Sequence, residues 1–352
     1  MNQSKEFKAI NILPLLLTTL LIIGVDLSSK NSDQRDDEIL PFKLVNNKVE
    51  IIRDIWFDRN RNRSIPVKIY YPEKIRGPRP LIIFSHGLGG SREGYEYLGR
   101  FWAENGFISL HLQHPGSDEE VWKGKENPLL ELRKAVIAPL NAVDRVKDVS
   151  FCLDQLEKIN GQAAKIIKDL INFDKIGLAG HSFGAHTTLL AVGQVIVFPG
   201  GKEMSLADNR IKAAIPMSAP VPANRQFLKR IYSQIKVPCL HLTGTLDDSP
   251  LGETKAEERR IPFDYIQHSD QYLVIFKDGD HLIFSGRPRW ALATGRGERD
   301  EKYQEIIKKL TLVFWKAYLE GDNKAKAWLR EGGAEKMLVD IAFFEKKLLS
   351  KN

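Results

Sequence analysis

Ser182 lies in the run Gly180-His181-Ser182-Phe183-Gly184, a G-x-S-x-G pattern. A serine hydroxyl becomes a useful nucleophile only beside a base, and the base needs a partner that fixes its tautomer. On a sharp strand-to-helix turn this pattern exposes the serine. Helix-end N–H groups and their dipole then face the oxygen that gains charge during acyl transfer, while the flanking glycines let strand and helix approach closely. Composition alone produces the five-residue pattern in unrelated chains, so its context carries the reading. An apolar strand pattern over Lys175–Ala179 precedes it and a helical pattern over Phe183–Val195 follows.

A base and an acid are available downstream, in the chain order serine, acid, histidine that such a turn calls for. Asp247 follows the predicted strand Val237–Thr243 in Gly244-Thr245-Leu246-Asp247-Asp248, and His281 follows the predicted strand Tyr272–Phe276 in Lys277-Asp278-Gly279-Asp280-His281. Both lie at carboxyl ends of late strands, the rim on which the serine turn also sits. Asp248 is the rival acid; Asp280, adjacent to His281, ranks lower. The oxyanion donors expected are the backbone N–H groups of Phe183 and of Leu88, the latter in the glycine-rich loop Ser85-His86-Gly87-Leu88-Gly89-Gly90-Ser91. That loop has neither the lysine of a P-loop nor G-x-G-x-x-G spacing. His114, Ser117 and Trp290 are candidate substrate contacts, and His241 reads as a packed strand residue. His111-x-x-His114 offers a metal only two ligands, so neither a metal nor an organic cofactor is expected.

The elements needed to position these groups are legible as alternating strands and helices. The 352 residues are 43% hydrophobic, enough for one large core and too many for general disorder. Strand patterns fall at Val49–Ile55, Ile65–Tyr71, Leu81–Phe84, Phe107–Leu112 and Lys212–Pro216, besides the three already named. Helical spacing falls at Tyr95–Asn105, Arg133–Leu156 with a break near Pro139, Ala163–Ile171, Arg225–Gln234, Glu301–Leu319 and Glu335–Leu348. This order predicts an α/β fold with a mostly parallel central sheet and helices on both faces. Stretches Ile196–Asn209 and Asp248–Asp270 are expected as lid-like loops.

Residues 1–25, with Lys5 and Lys8 ahead of an apolar run, read as a signal peptide or N-terminal anchor; 26–47 reads as a linker and 48–350 as the catalytic domain. The expected location is therefore outside the cytoplasm, periplasmic or secreted, with membrane contact only through an uncleaved N-terminal segment. The net charge of +7 is spread among acids, as in Arg299–Glu305, so no nucleic-acid partner is expected. Two cysteines, Cys152 and Cys239, exclude a disulfide-stapled scaffold and read as buried small hydrophobes.

Phe84-Ser85-His86-Gly87-Leu88-Gly89-Gly90, Gly180-His181-Ser182-Phe183-Gly184 and Asp280-His281 together resemble the α/β-hydrolase superfamily. The resemblance runs from about Val49 to Leu329 and takes in His114-Pro115-Gly116-Ser117-Asp118 and Arg145-x-x-Asp148. Within the superfamily the chain resembles the dienelactone-hydrolase-like and platelet-activating-factor-acetylhydrolase-like esterases. The resemblance implies Ser182 as nucleophile, Asp247 as acid, His281 as base, and Leu88 and Phe183 as oxyanion donors. It also implies a small-molecule or lipid-like ester as substrate. Dienelactone hydrolases proper carry a cysteine nucleophile, so the serine here favours ordinary carboxylic-ester hydrolysis. Lipase, thioesterase or peptidase activity, and a catalytically idle binding protein, are the alternatives.

Overall fold

A computed structural model describes residues 39–158, 167–198, 200–223, 225–252, 254–286 and 297–350. The expected export segment, most of the expected linker, residues 163–166 of the expected helix 163–171 and Trp290 lie outside the described residues; of that helix's remainder, Lys168–Leu170 forms a 3-10 turn and Ile171 begins a strand.

The chain enters the sheet as a hairpin, β1 (Val49–Asp58) and β2 (Arg63–Pro72), then crosses through β3 (Arg79–Ser85), helix α1 (Glu96–Glu104) and β4 (Ile108–Leu112). Helices α2 (Pro128–Ile137) and α3 (Pro139–Lys158) lead to β5 (Ile171–His181) and α4 (Phe183–Ala191). A two-residue hairpin, β6 (Ile196–Val197) and β7 (Glu203–Met204), stands apart. The sheet resumes with β8 (Ile211–Met217), α5 (Leu228–Tyr232), β9 (Cys239–Leu246), α6 (Ile261–Tyr265) and β10 (Gln271–Asp280). Helices α7 (Gly297–Trp315), α8 (Asn323–Arg330) and α9 (Gly333–Leu338) precede the last strand, β11 (Ala342–Lys347).

The nine-stranded sheet has the order β1-β2-β4-β3-β5-β8-β9-β10-β11. The inner run from β4 to β10 is parallel, and antiparallel pairs close both ends. β3 shows why the inner strands are apolar throughout. Leu81 and Ile83 enter the core on one face, with Leu153 and Leu189 of α3 and α4. Ile82 and Phe84 enter the other, with Trp102, Leu310 and Phe314 of α1 and α7. A strand covered on both faces has no polar side to offer.

The structure departs from expectation at three further places. The helix expected from Arg133 begins earlier, at Pro128; its break falls where expected, at Ala138, whose extended backbone (ψ 111°) is what the following Pro139 demands. The helix expected over Glu335–Leu348 stops at Leu338, and Ala342–Lys347 instead pairs antiparallel with β10, covering an edge that would otherwise be open. The last nine residues of the expected linker, 39–47, lie against the domain. Leu40 is buried, Ile39, Phe42 and Leu44 pack on the core, and the Trp328 indole N–H donates to the Ile39 carbonyl at 2.8 Å. Four apolar side chains in nine residues have more to gain from burial than from solvent exposure. Both cysteines are buried and free; burial pushes the Cys239 thiol up to about 12. Among the described residues no helix is long and apolar enough to cross a membrane.

The junction of β5 and α4 is tightly packed. Ser182 sits between them at φ 56°, ψ −117°, a strained conformation for a residue with a side chain. A Cβ on Gly180 would fall well within 3.0 Å of the Gly184 carbonyl, and one on Gly184 would collide with the Ser85 carbonyl of β3. Gly184→Ala is therefore expected to lower stability by about 1–3 kcal/mol despite alanine's helix preference. Denaturant melts of the two proteins test this; an unchanged midpoint would contradict so close an approach of α4 to β3.

Candidate functional site

Three side chains from three strand ends meet above the carboxyl edge of the sheet. The Ser182 hydroxyl lies 2.9 Å from His281 Nε2, and His281 Nδ1 lies 2.7 Å from Asp247 Oδ1. With the carboxylate at Nδ1, the imidazole carries its proton there and leaves Nε2 free to accept from the serine. Asp247 is fully buried, and its second oxygen accepts from the hydroxyls of Ser218 (2.6 Å) and Thr243 (2.7 Å). Asp248 points away: its side chain is 57% exposed and accepts from the Ala256 N–H and the Lys255 ammonium. The geometry thus separates the two acids that sequence left in competition.

Two further residues, not singled out by sequence reasoning, hold this cluster. Arg259 donates from Nε to the Asp247 carbonyl (3.0 Å) and from Nη1 to the Ser218 carbonyl (2.7 Å). Its guanidinium stands 3.5 Å from Asp247 Oδ1, and burial lowers its pKa. His181, next to the serine, accepts from the Tyr95 hydroxyl at Nδ1 (2.8 Å) and donates from Nε2 to the His281 carbonyl (2.9 Å). Burial, with His281 and Arg259 adding to it, drives the His181 pKa well below the usual imidazole range. His181 is therefore a neutral spacer that fixes the backbone of the loop carrying His281. No spacing in the sequence marks Arg259, which lies in a predicted loop; Tyr95 and His181 were visible only as neighbours of the motifs.

Leu88 and Phe183 both line the cavity at Ser182, and neither backbone N–H donates to another group among the described residues. Two unused donors beside a serine are what a developing oxyanion requires. The cavity, of about 410 Å³, is walled mainly by apolar side chains. They come from α2 (Leu129, Leu132, Val136), from the 248–252 turn (Pro250, Leu251) and from Leu282. α2 was not foreseen as a wall: Leu129 and Leu132 precede Arg133, where the expected helix began. Of the two expected lids, Ser249–Gly252 lines the cavity and the β6–β7 hairpin does not.

His114 and Ser117 do not reach the cavity, contrary to expectation. Both are fully buried behind the Leu88 loop. His114 donates from Nδ1 to Asp148 (2.9 Å) and accepts at Nε2 from Ser85 (3.0 Å), while Ser117 Oγ accepts from Arg145 (2.8 Å). Burial, followed by the nearby arginines, drives the His114 pKa well below its ordinary value. The reason is the parallel neighbour: residues following β4 emerge beside those following β3, and so support that loop from behind. His241 lies buried in β9 with Nε2 on Gln271 Oε1, as expected of a packed strand residue. Among the described residues no cluster of three or more metal-ligating side chains occurs.

The strained serine between a parallel strand and a helix, at the carboxyl edge of a sheet covered on both faces, defines the α/β-hydrolase fold. A family model described as platelet-activating factor acetylhydrolase, isoform II, matches residues 50–122. Relatives named platelet-activating factor acetylhydrolase are 24% identical in Cavia porcellus, over 79% of this chain, and 29% identical in Canis lupus familiaris, over 74%. The chain spans less than two thirds of those relatives' length, 66% and 62%. A third, from Bos taurus, is 30% identical over 33% of this chain and 32% of its own. Within the α/β-hydrolase fold the chain is thus similar, over part of its length, to proteins named platelet-activating factor acetylhydrolase.

The Tyr95–His181–His281 chain yields a direct test. Tyr95→Phe removes the donor to a buried ring nitrogen and is expected to lower stability by about 1–3 kcal/mol. Asp248→Asn, at an exposed position, should stay within about 0.5 kcal/mol of the parent. Thermal melts of the three proteins decide it, and equal losses from the two changes would contradict this geometry.

Proposed function

We propose that this chain is an exported serine hydrolase that cleaves carboxylic esters through an acyl-enzyme, with residues 48–350 as its catalytic domain. The observation that carries this is the continuous hydrogen-bonded line from Ser182 through His281 to buried Asp247, beside two unpaired N–H groups.

In the first step His281 Nε2 takes the serine proton as Oγ attacks the ester carbonyl. The carbonyl oxygen becomes an anion and moves between the N–H groups of Leu88 and Phe183. Asp247 stabilises the imidazolium that forms, and its two hydroxyl partners keep the carboxylate from turning away. The imidazolium then protonates the leaving alcohol. Water, deprotonated by the same histidine, releases the acid and restores Ser182.

The cavity supports an ester with an apolar, lipid-like part, since apolar side chains, leucines and prolines among them, form most of its exposed wall. The relatives' name denotes hydrolysis of an acetyl ester, and a short acyl group is the substrate proposed here. Export rests on the charged start and apolar run within residues 1–25.

A fluorophosphonate probe should label the protein at Ser182 and leave Ser182→Ala unlabelled. Esterase activity should fall about 10⁴–10⁶-fold in Ser182→Ala and about 10³–10⁴-fold in Asp247→Asn, with Asp248→Asn close to the parent. On a panel of p-nitrophenyl esters from acetyl to palmitoyl, the short chains should turn over fastest. An unlabelled wild-type protein, inert toward the whole panel, would overturn the enzyme reading in favour of a binding protein on the same fold.

A further inference from the structure

Arg145 is fully buried on α3, and its contacts join parts of the site that the chain does not. Nε donates to Thr187 Oγ1 at 2.9 Å, on the helix that begins with Phe183. Nη2 donates to Ser85 Oγ at 3.0 Å and to the His86 carbonyl, on the segment that leads to Leu88. Nη1 donates to Ser117 Oγ at 2.8 Å, and the Ser117 carbonyl in turn accepts the Gly89 N–H at 2.9 Å. The guanidinium carbon lies 4.7 Å from the centroid of the Phe183 ring. One planar cation thus touches the segment of Leu88, the helix of Phe183, and the third segment that props the first.

Its partners are unusual for a buried charge. Among the described residues no carboxylate forms an ion pair with Arg145. Asp148, one turn along α3, gives its oxygens to Arg61, Arg63 and His114 instead. A buried cation held only by neutral acceptors and a ring face is costly to desolvate. Burial pushes this guanidinium down to about 9, which still leaves it charged at neutral pH. Holding three segments together needs several donors; it does not need an unneutralised positive charge, which would, however, favour an anion forming nearby.

We propose that Arg145 is a positioning residue that clamps the Leu88 and Phe183 segments into one oxyanion site and adds positive potential behind it. The kinetic part of this inference rests on the function proposed above; the clamp itself does not.

The test compares wild type, Arg145→Lys, Arg145→Met, Thr187→Val and the double variant Arg145→Met/Thr187→Val. Thr187→Val removes the single side-chain bond to the elbow helix, retains shape, and leaves the loop contacts in place, so it informs even if Arg145→Met does not fold. Thermal melts establish the folded fraction. Turnover of a p-nitrophenyl ester and hydrogen exchange at 86–90 and 182–188 are then read on folded protein. Arg145→Met should lower kcat about 10–100-fold with KM within about twofold, because only charge that develops in the transition state is lost. Thr187→Val should lower kcat about three- to tenfold, Arg145→Lys should fall between wild type and Arg145→Met, and the double variant should be no worse than Arg145→Met alone. Exchange at both segments should quicken in Arg145→Met; where Arg145→Met does not fold, exchange at 182–188 should quicken in Thr187→Val. Wild-type kcat in folded Thr187→Val and Arg145→Lys, or a rise in KM with kcat unchanged, would overturn the proposal. If the wild-type protein hydrolyses no ester, the function reading fails by itself. The clamp then stands or falls on exchange alone, and unchanged protection at both segments would overturn it.

Discussion

The approach of α4 to β3, with the Gly184 backbone against the Ser85 carbonyl, is the constraint from which the rest of the site follows. Only a glycine permits it, and only a turn as sharp as the one at Ser182 delivers the chain from β5 into a helix so placed. The cost is a side-chain-bearing residue at φ 56°. Packing on both sides sustains that cost: the Ser182 N–H is fixed to the Met217 carbonyl of β8, and the helix that follows is buried along nearly its whole length. The serine is thereby held above the sheet edge, and its neighbour's N–H remains unused.

Around that turn the fold spends buried polar groups freely, and in a pattern. In front, Asp247 is saturated by Ser218, Thr243 and His281, with Arg259 beside it. Behind, Arg145, Asp148, His114, Ser85 and Ser117 form a second network with no direct access to the cavity. Such networks are costly when a member is missing and stiff when complete. Their place on either side of the serine fits a site whose donors must be in position before a substrate arrives.

The alternation within β3 and the unbroken apolar run of the inner strands made the parallel sheet readable, because burial on both faces leaves a compositional mark. The elbow was readable for a different reason: the paired glycines Gly180 and Gly184 flank the serine at fixed spacing, Gly180 clearing the Gly184 carbonyl and Gly184 clearing Ser85 of β3. β11 was not readable. Ala342–Lys347 has a pattern that serves either element, and the unpaired edge of β10 decided the matter. The same holds for the packed stretch 39–47, whose polar flanks look like a linker until Trp328 and the core are in place.

Residue types and chain order alone determined that a hydroxyl, an imidazole and a carboxylate could meet at one rim, and that the fold was a helix-covered parallel sheet. Only the folded chain chose Asp247 over Asp248, turned His114 and Ser117 inward beneath the Leu88 loop, and brought α2, Arg145 and Arg259 to the site. The physical reason is one of range. Backbone sterics and burial on a strand act between neighbours and leave a signature in local sequence. The direction of a side chain at a strand's end depends on which segment, often dozens of residues distant, happens to emerge beside it.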